Sequence, residues 1–242
     1  MVMTPTDTAS APEDPARTLP LSLPLSLSTA DARRMHGEMQ QFMLGYEFGL
    51  REIETKVSIL RDEFAHLHDY NPIEHISSRV KSLDSVIAKV ARRGLELRLD
   101  VIREHIHDIA GIRVTCSFVQ DAYRLLALLT EQADVSVLLV KDYIAQPKPN
   151  GYKSLHAIVE VPVFLSTGQV QVPVEVQFRT IAMDFWASLE HKIHYKYDGQ
   201  VPDELIDGLK DAADTAAALD ARMERLHREL HPDARRTPPT LR

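Results

Sequence analysis

The chain has 242 residues, with 28 Lys and Arg against 35 Asp and Glu and a formal net charge of −7. That length supports one domain with a sizeable core plus appendages, and the acidic balance gives no sign of general binding to RNA or anionic membranes. The lone Cys116 excludes an internal disulfide; its apolar-alternating surroundings favour core packing, and the want of a disulfide framework makes a reducing cytoplasm the default compartment.

Residues 1–30 are rich in Thr, Ser, Pro and Ala and read as a disordered tail. Leu19–Ala30 is mildly apolar, but Pro20 and Pro24 interrupt it and no Lys/Arg-rich leader precedes it, so it makes a poor signal peptide. No stretch reaches the length of a transmembrane helix. From Asp31 to about His68, Met35, Met39, Phe42, Met43, Tyr46, Leu50, Ile53, Val57, Leu60 and Phe64 recur at helical spacing, which predicts one or two amphipathic helices closed by Asn71-Pro72. A short strand over Glu74–Val80 precedes a helix from Ser82 to about Arg93 that stops at Gly94. Ala110–Phe118 reads as a buried strand and Asp121–Gln132 as a helix. Val135–Tyr143 and Tyr152–Leu165 read as strands, and a turn at Ser166–Gln169 leads back into Val170–Phe178. A helix over Ile181–Tyr197, a long polar helix from Pro202 to about His231 and a frayed end complete the chain. The order predicts an α+β fold with α/β-like alternation: a single mixed β-sheet flanked by helices. The expected segments are a tail at 1–30, helices at 31–70, a sheet-bearing domain at 71–198, a C-terminal helix at 199–231 and a tail at 232–242.

Four segments carry chemistry. Arg79 and Lys81 alternate about Val80 and leave a strand on the same side; Lys89 shares a helix face with Arg92 and Arg93. Such a set suits a triphosphate, and Arg also stacks on bases; the plain alternative is a solvated basic face. Asp108 precedes a buried strand from which Arg113 emerges, and strand ends are where ligand chemistry collects; Asp108 as a turn cap is the alternative. In the Pro/Gly loop from Gln146 to Tyr152, Lys148 and Lys153 flank Asn150-Gly151, a turn that lets backbone approach a ligand. Tyr152 offers a ring face for a base, and Ser154 and His156 are expected on its side of the strand. Glu175, Gln177 and Arg179 alternate with Val174, Val176 and Phe178. Such alternation is ordinary for a half-solvated sheet, but Glu175 could meet Asp108 across it, and two carboxylates plus phosphate oxygens suit Mg²⁺.

Taken in order, Arg79-x-Lys81, Asp108-Ile-Ala-Gly-Ile-Arg113, Lys141-Asp-Tyr-Ile144, Pro147-Lys-Pro-Asn-Gly-Tyr-x-Ser-Leu-His156, Glu175-Val-Gln-x-Arg-Thr180 and Met183-Asp-Phe-Trp-Ala187 resemble the synthetase domain of the RelA/SpoT-type alarmone synthetases, over roughly residues 46 to 198. The likeness is strongest to the small, single-domain members. It implies a nucleotidyltransferase-like synthetase domain that moves pyrophosphate from ATP to the 3′-hydroxyl of GTP or GDP. It implies that Arg79 and Arg113 sandwich adenine and that Lys81, Lys89 and Arg92 hold the ATP phosphates. Asp108 and Glu175 would hold Mg²⁺, with Glu175 also a candidate base. Tyr152 would stack on guanine, with Lys148, Asn150, His156, Gln177 and Asp184 completing the acceptor side. It also implies a homotetramer built through the flanking helices, whose apolar stripes are expected outside the strand-rich core.

Two positions depart from the pattern. A charged four-residue signature is here Leu139-Val140-Lys141-Asp142, without its first charge, so GDP and GTP are not distinguished. His75 stands where a Phe is familiar, so allosteric control by alarmone does not carry over. Two other readings stay open: an HD-type metal-dependent phosphohydrolase built on His68-Asp69 or His107-Asp108 with His66, His75 and His105 nearby, and a non-catalytic module binding guanine nucleotides or RNA.

Overall fold

One strand divides its side chains between the core and a polar face. In β5 (Gly168–Thr180), Val172, Val174, Val176 and Phe178 are buried, whereas Glu175 and Gln177 between them are half-buried, because successive strand side chains leave on opposite sides. The structure is a computed structural model and describes residues 29–197 and 201–230. β5 sits in the middle of a five-stranded sheet of order β1-β2-β5-β4-β3, with β1 at Ile73–Val80, β2 at Ala110–Cys116, β3 at Ser136–Asp142 and β4 at Leu155–Leu165. β2 and β5 run parallel and every other neighbouring pair antiparallel. The sheet is mixed, as the order of elements predicts.

Six helices accompany it among the described residues: α1 (Thr29–Leu67), α2 (Leu83–Arg92), α3 (Leu99–His105), α4 (Val119–Thr130), α5 (Ile181–Lys196) and α6 (Asp203–Leu230). Phe42, Tyr46, Leu50, Ile53, Val57 and Phe64 of α1 join the buried side chains of β2, β4 and β5 in one cluster, together with side chains from α2, α3 and α4. Each such side chain contributes roughly 1.5–3 kcal/mol when fully buried. At Gly49 a Cβ would stand 2.5 Å from Val172 Cγ1, so the α1 backbone lies directly on β5.

The first apolar stripe is therefore not left over at the edge, as expected from sequence. From Met39 on, α1 belongs to the same compact unit as the sheet and α6, with Phe42 and Tyr46 buried in the core. The second stripe divides: Leu209 and Ala213 of α6 pack on Trp186 and Ala187 of α5, while Leu205, Leu219, Met223 and Leu226 are exposed.

Other differences are local. α1 is one helix through Gly45 and Gly49. α3 is missing from the sequence reading, although Leu99, Ile102 and Ile106 are spaced for a helix; its seven residues are too few for a period to register. β4 begins at Leu155 and not at Tyr152. The preceding loop pairs with its own surroundings, Lys148 N to Tyr152 O at 3.1 Å and Tyr143 N to Ser154 O at 2.9 Å. Pro173 sits inside β5, but β2 joins β5 only from the Gly111–Glu175 pair onward. The missing N–H thus costs no bond to β2. Cys116 is fully buried, and burial pushes its thiol pKa up, in keeping with a packing role. Of the tail expected over 1–30, residues 1–28 lie outside the described residues and α1 already begins at Thr29, while the tail expected over 232–242 lies wholly outside them.

Candidate functional site

Register aligns the polar residues on one face. Ser77 stands beside Arg113, Arg79 beside Gly111, Gly111 beside Glu175, Arg113 beside Gln177 and His156 beside Gln177, and side chains opposite one another across strands leave on the same side. Arg79, Asp108, Arg113, Glu175 and Gln177 line one cavity of about 270 Å³.

Asp108 is the hub of one half. Lys81 N donates to Ile109 O at 2.8 Å, tying the exit of β1 to the entry of β2. Ser82 caps α2 by accepting from Ser85 N, which sets the helix that carries Lys89. Lys81 Nζ and Lys89 Nζ each stand 2.5 Å from Asp108 Oδ2. Burial pushes the Asp108 carboxyl up, but the hydrogen bonds and charges of Lys81 and Lys89 outweigh it and hold the pKa at about 2. Arg79 is exposed at the rim of the cavity and Arg92 is exposed on α2.

Asp108 Oδ1 is buried and has no hydrogen-bond partner among the described residues. A buried carboxylate oxygen left unbonded is costly, and it belongs to a residue lining the same cavity as Glu175. Two carboxylates with room for phosphate oxygens fit a hard cation such as Mg²⁺. No group of three or more His, Cys, Asp or Glu suited to a metal occurs among the described residues. Three of the five histidines of the hydrolase reading have structural partners: His66 Nδ1 lies 2.7 Å from Asp62 O, His105 Nδ1 lies 3.1 Å from Val101 O, and His68 packs on the Phe64 ring. The HD-type reading is not favoured.

The other half is a directed chain of hydrogen bonds. Arg179 Nη1 donates to Asp184 Oδ1 at 3.0 Å and Arg179 Nη2 to Tyr152 Oη at 2.8 Å. Tyr152 Oη lies 2.8 Å from His156 Nε2, and His156 Nδ1 lies 3.1 Å from Glu175 Oε1. An ionised carboxylate only accepts, so His156 Nδ1 is the donor and, in the neutral ring, Nε2 takes the Tyr152 hydrogen. Gln177 Nε2 donates to Glu175 Oε2 at 2.9 Å. Burial raises the Glu175 pKa, but the bonds from His156 and Gln177 outweigh it and the net shift is downward.

Tyr152 has a cation on its ring: Lys148 Nζ is 4.6 Å from its centroid and 4.7 Å from that of Tyr143. Asn150 is spent on the loop itself, its Oδ1 accepting from Tyr152 N at 3.2 Å and its Nδ2 donating to Glu190 at 3.1 Å. Gly151 has φ +90°, and a Cβ there would stand 2.7 Å from Ala213 Cβ on α6.

Ser154 does not share the face of Tyr152 and His156. It is buried and donates to Phe178 O at 3.1 Å, because the strand alternation starts only at Leu155. Asp184 serves both halves, since its Oδ1 also lies 3.1 Å from Arg113 Nη1. Arg179 and Tyr143 stand in the ordered motifs without a role that the sequence assigns them. The parity of Arg179 with Glu175 and Gln177 was legible in sequence; the approach of Tyr143 to Tyr152, 5.9 Å between ring centroids, depends on how the loop folds back.

A family profile described as a region found in RelA/SpoT proteins matches residues 78–200, which hold Arg79, Asp108, Arg113, Tyr152, Glu175 and Asp184. The chain belongs to the RelA/SpoT family. Among similar RelA/SpoT proteins, GTP pyrophosphokinase YwaC of Bacillus subtilis is 47% identical over 200 residues, covering 83% of this chain and 95% of that protein. The crystal structure of small alarmone synthetase 2 from Bacillus subtilis is 47% identical with a TM-score of 0.73, covering 79% of this chain and 99% of that one. Small alarmone synthetase 1 from the same organism, in a crystal structure bound to its product pppGpp, is 34% identical with a TM-score of 0.74, covering 80% of this chain and 98% of that one.

Proposed function

We propose that this chain is a GTP pyrophosphokinase: the 3′-hydroxyl of GTP or GDP attacks the β-phosphorus of ATP, AMP leaves, and the hydroxyl proton passes to the protein. The observation that carries the reading is a single cavity lined by Asp108 and Glu175, with Arg79 and Arg113 at the same cavity, Lys81 and Lys89 on Asp108 and the Tyr152–His156 pair bonded to Glu175.

On this reading Arg79 and Arg113 flank adenine, and Lys81, Lys89 and Arg92 take the ATP phosphates. Tyr152 stacks on guanine beside Lys148, with Asn150, Gln177 and Asp184 shaping the acceptor side. Glu175, held ionised by His156 and Gln177, accepts the 3′-hydroxyl proton. Asp108 and Glu175 would hold Mg²⁺, which supplies charge neutralisation on the transferring group. Positioning and fixed charges do most of the work in such transfers. Incubation with ATP, GTP or GDP and Mg²⁺, followed by nucleotide chromatography, tests the reading; AMP with a 3′-pyrophosphorylated guanine nucleotide is expected, and inorganic phosphate alone or no product overturns it.

The assembly is a homotetramer on this reading. The support is apolar surface on α5 and α6. An 830 Å³ groove is lined there by Phe185 and Leu189 on one side and Leu219 and Met223 on the other, and large exposed apolar surface usually marks an interface. Light scattering coupled to size exclusion at micromolar concentration is expected to give a mass several times that of one chain, falling in the Met223→Asp variant; a single-chain mass for wild type sinks the assembly without touching the chemistry. The compartment on this reading is the cytoplasm; no helix among the described residues is long and apolar enough to cross a membrane.

A further inference from the structure

We propose that Asp220, on the C-terminal helix, is a positioning residue for the acceptor nucleotide, and that α6 is the backstop of the acceptor loop. This rests on the acceptor reading above. α6 lies beyond the residues 78–200 matched by the family profile. Yet its buried residues, Leu209, Ala213 and Asp220, recur at helical spacing on one face, and each meets the acceptor half.

The first contact is a hydrogen bond from Trp186 Nε1 to Leu209 O at 2.7 Å. The Trp186 ring lies 6.4 Å from the Tyr152 ring between centroids. The second is the close approach of Gly151 to Ala213, where an added Cβ would find 2.7 Å. The third decides orientation. Thr180 Oγ1 donates to Asp220 Oδ2 at 2.6 Å and accepts from Met183 N at 3.1 Å.

Thr180 is the N-cap of α5. A hydroxyl has one hydrogen and two lone pairs. Asp220 takes the hydrogen, which leaves a lone pair aimed at the first turn of α5. Thr180 is 0% exposed, so water does not compete for its hydroxyl, while Asp220, 7% exposed, borders the apolar groove between α5 and α6. Thr180 follows Arg179 in β5, and Asp184 stands in the first turn of α5. Arg179 joins the two, donating through Nη1 to Asp184 and through Nη2 to Tyr152 Oη. The line runs from Asp220 to the α5 cap, from the cap to Arg179–Asp184, and through Arg179 to Tyr152. A carboxylate is a costly choice on a buried helix face, and burial does push its pKa up; an apolar residue there would leave the Thr180 hydroxyl without its acceptor.

The test uses the full chain and two readouts. One is steady-state kinetics with each nucleotide varied in turn. The other is GDP binding followed by the emission of Trp186, the single tryptophan of the chain. Asp220→Ala is expected to raise the GDP KM and the GDP dissociation constant about tenfold, since small misplacements of a binding group are expensive. The ATP KM should move less than about threefold, since most of its contacts sit on β1 and α2 in this reading. Asp220→Asn keeps an oxygen for Thr180 and should restore GDP affinity. A loss of turnover and thermal stability with both KM values unchanged means a merely structural role and overturns the proposal. Should Asp220→Ala fail to fold, Ala213→Val decides: a larger side chain under Gly151 should weaken GDP selectively, and unchanged GDP affinity there overturns the backstop. Wild-type protein that neither binds GDP nor makes product overturns the acceptor reading itself, whereas active wild type with GDP-indifferent variants overturns only this proposal.

Discussion

Gly151→Ala is the substitution for which the structure gives the most to work with. Two separate terms act there. The backbone has φ +90°, a region that costs an L side chain about 1–2 kcal/mol. The new Cβ would stand 2.7 Å from Ala213 Cβ, a contact with a rigid methyl on a helix and not with the end of a flexible chain; forcing an extra carbon into packed space costs about 1–3 kcal/mol. Together they come to about 2–5 kcal/mol, a fall in Tm on the order of 10 °C for a chain of this size. The loop can relieve part of this by moving off α6, and whatever it relieves should reappear as weaker acceptor binding through Lys148 and Tyr152. Urea unfolding and the GTP or GDP KM therefore have to be measured on the same preparations. Ala213→Gly in the same chain removes the clash and leaves the φ cost, at the expense of about 1 kcal/mol for a glycine inside a helix. The double variant should be more stable than the sum of the singles by about 1–3 kcal/mol. Additive singles, or a Gly151→Ala protein with unchanged stability and unchanged acceptor KM, would refute the close approach of loop and helix.

Asp108→Asn and Glu175→Gln should each lower turnover by roughly two orders of magnitude, with nucleotide binding partly kept; near-wild-type turnover of either at saturating Mg²⁺ removes it from the site. Tyr152→Ala should weaken acceptor use roughly ten- to a hundredfold through lost stacking, and a loss that falls on ATP instead contradicts the assignment. His156→Ala removes a bond that helps hold the Glu175 carboxyl below its ordinary value. The base should then titrate higher, so turnover should start to fall at a higher pH as the solution is acidified; identical acid limbs in variant and wild type would mean that Glu175 is not the titrating base.

The sheet and its flanking helices were legible because their signals are long. β5 shows its alternation over Val170–Phe178, and α4 and α5 present whole apolar turns. What could not be read depends on contacts between distant segments. Tyr152–Ser154 has the composition of a strand, yet its backbone bonds are taken by Tyr143 and Lys148, and Ser154 turns inward. The α1 stripe reads like a surplus face, but whether it finds the sheet depends on Gly49, whose lack of a side chain lets the helix settle on Val172. The site residues were legible as ordered motifs. Their partnerships were not: Asp184 has the place of an acceptor-side residue and pairs with Arg113 as well as Arg179, a meeting of β2, β5 and α5 that no local pattern encodes.

The two-sidedness of β5 also governs how this protein can change over generations. Core and site occupy alternate positions of the same run, so losing or gaining one residue between Val174 and Thr180 would exchange the sides of every side chain beyond it. Glu175 or Gln177 would enter the interior while a valine or Phe178 took its place in the cavity. This stretch can drift only by substitution, one position at a time, under two selections that never act on the same side chain. Length variation is left to the far end, where Leu165 pairs with Gly168 across an exposed turn, and inserted residues there would lengthen the hairpin without disturbing the parity of the strand beneath it.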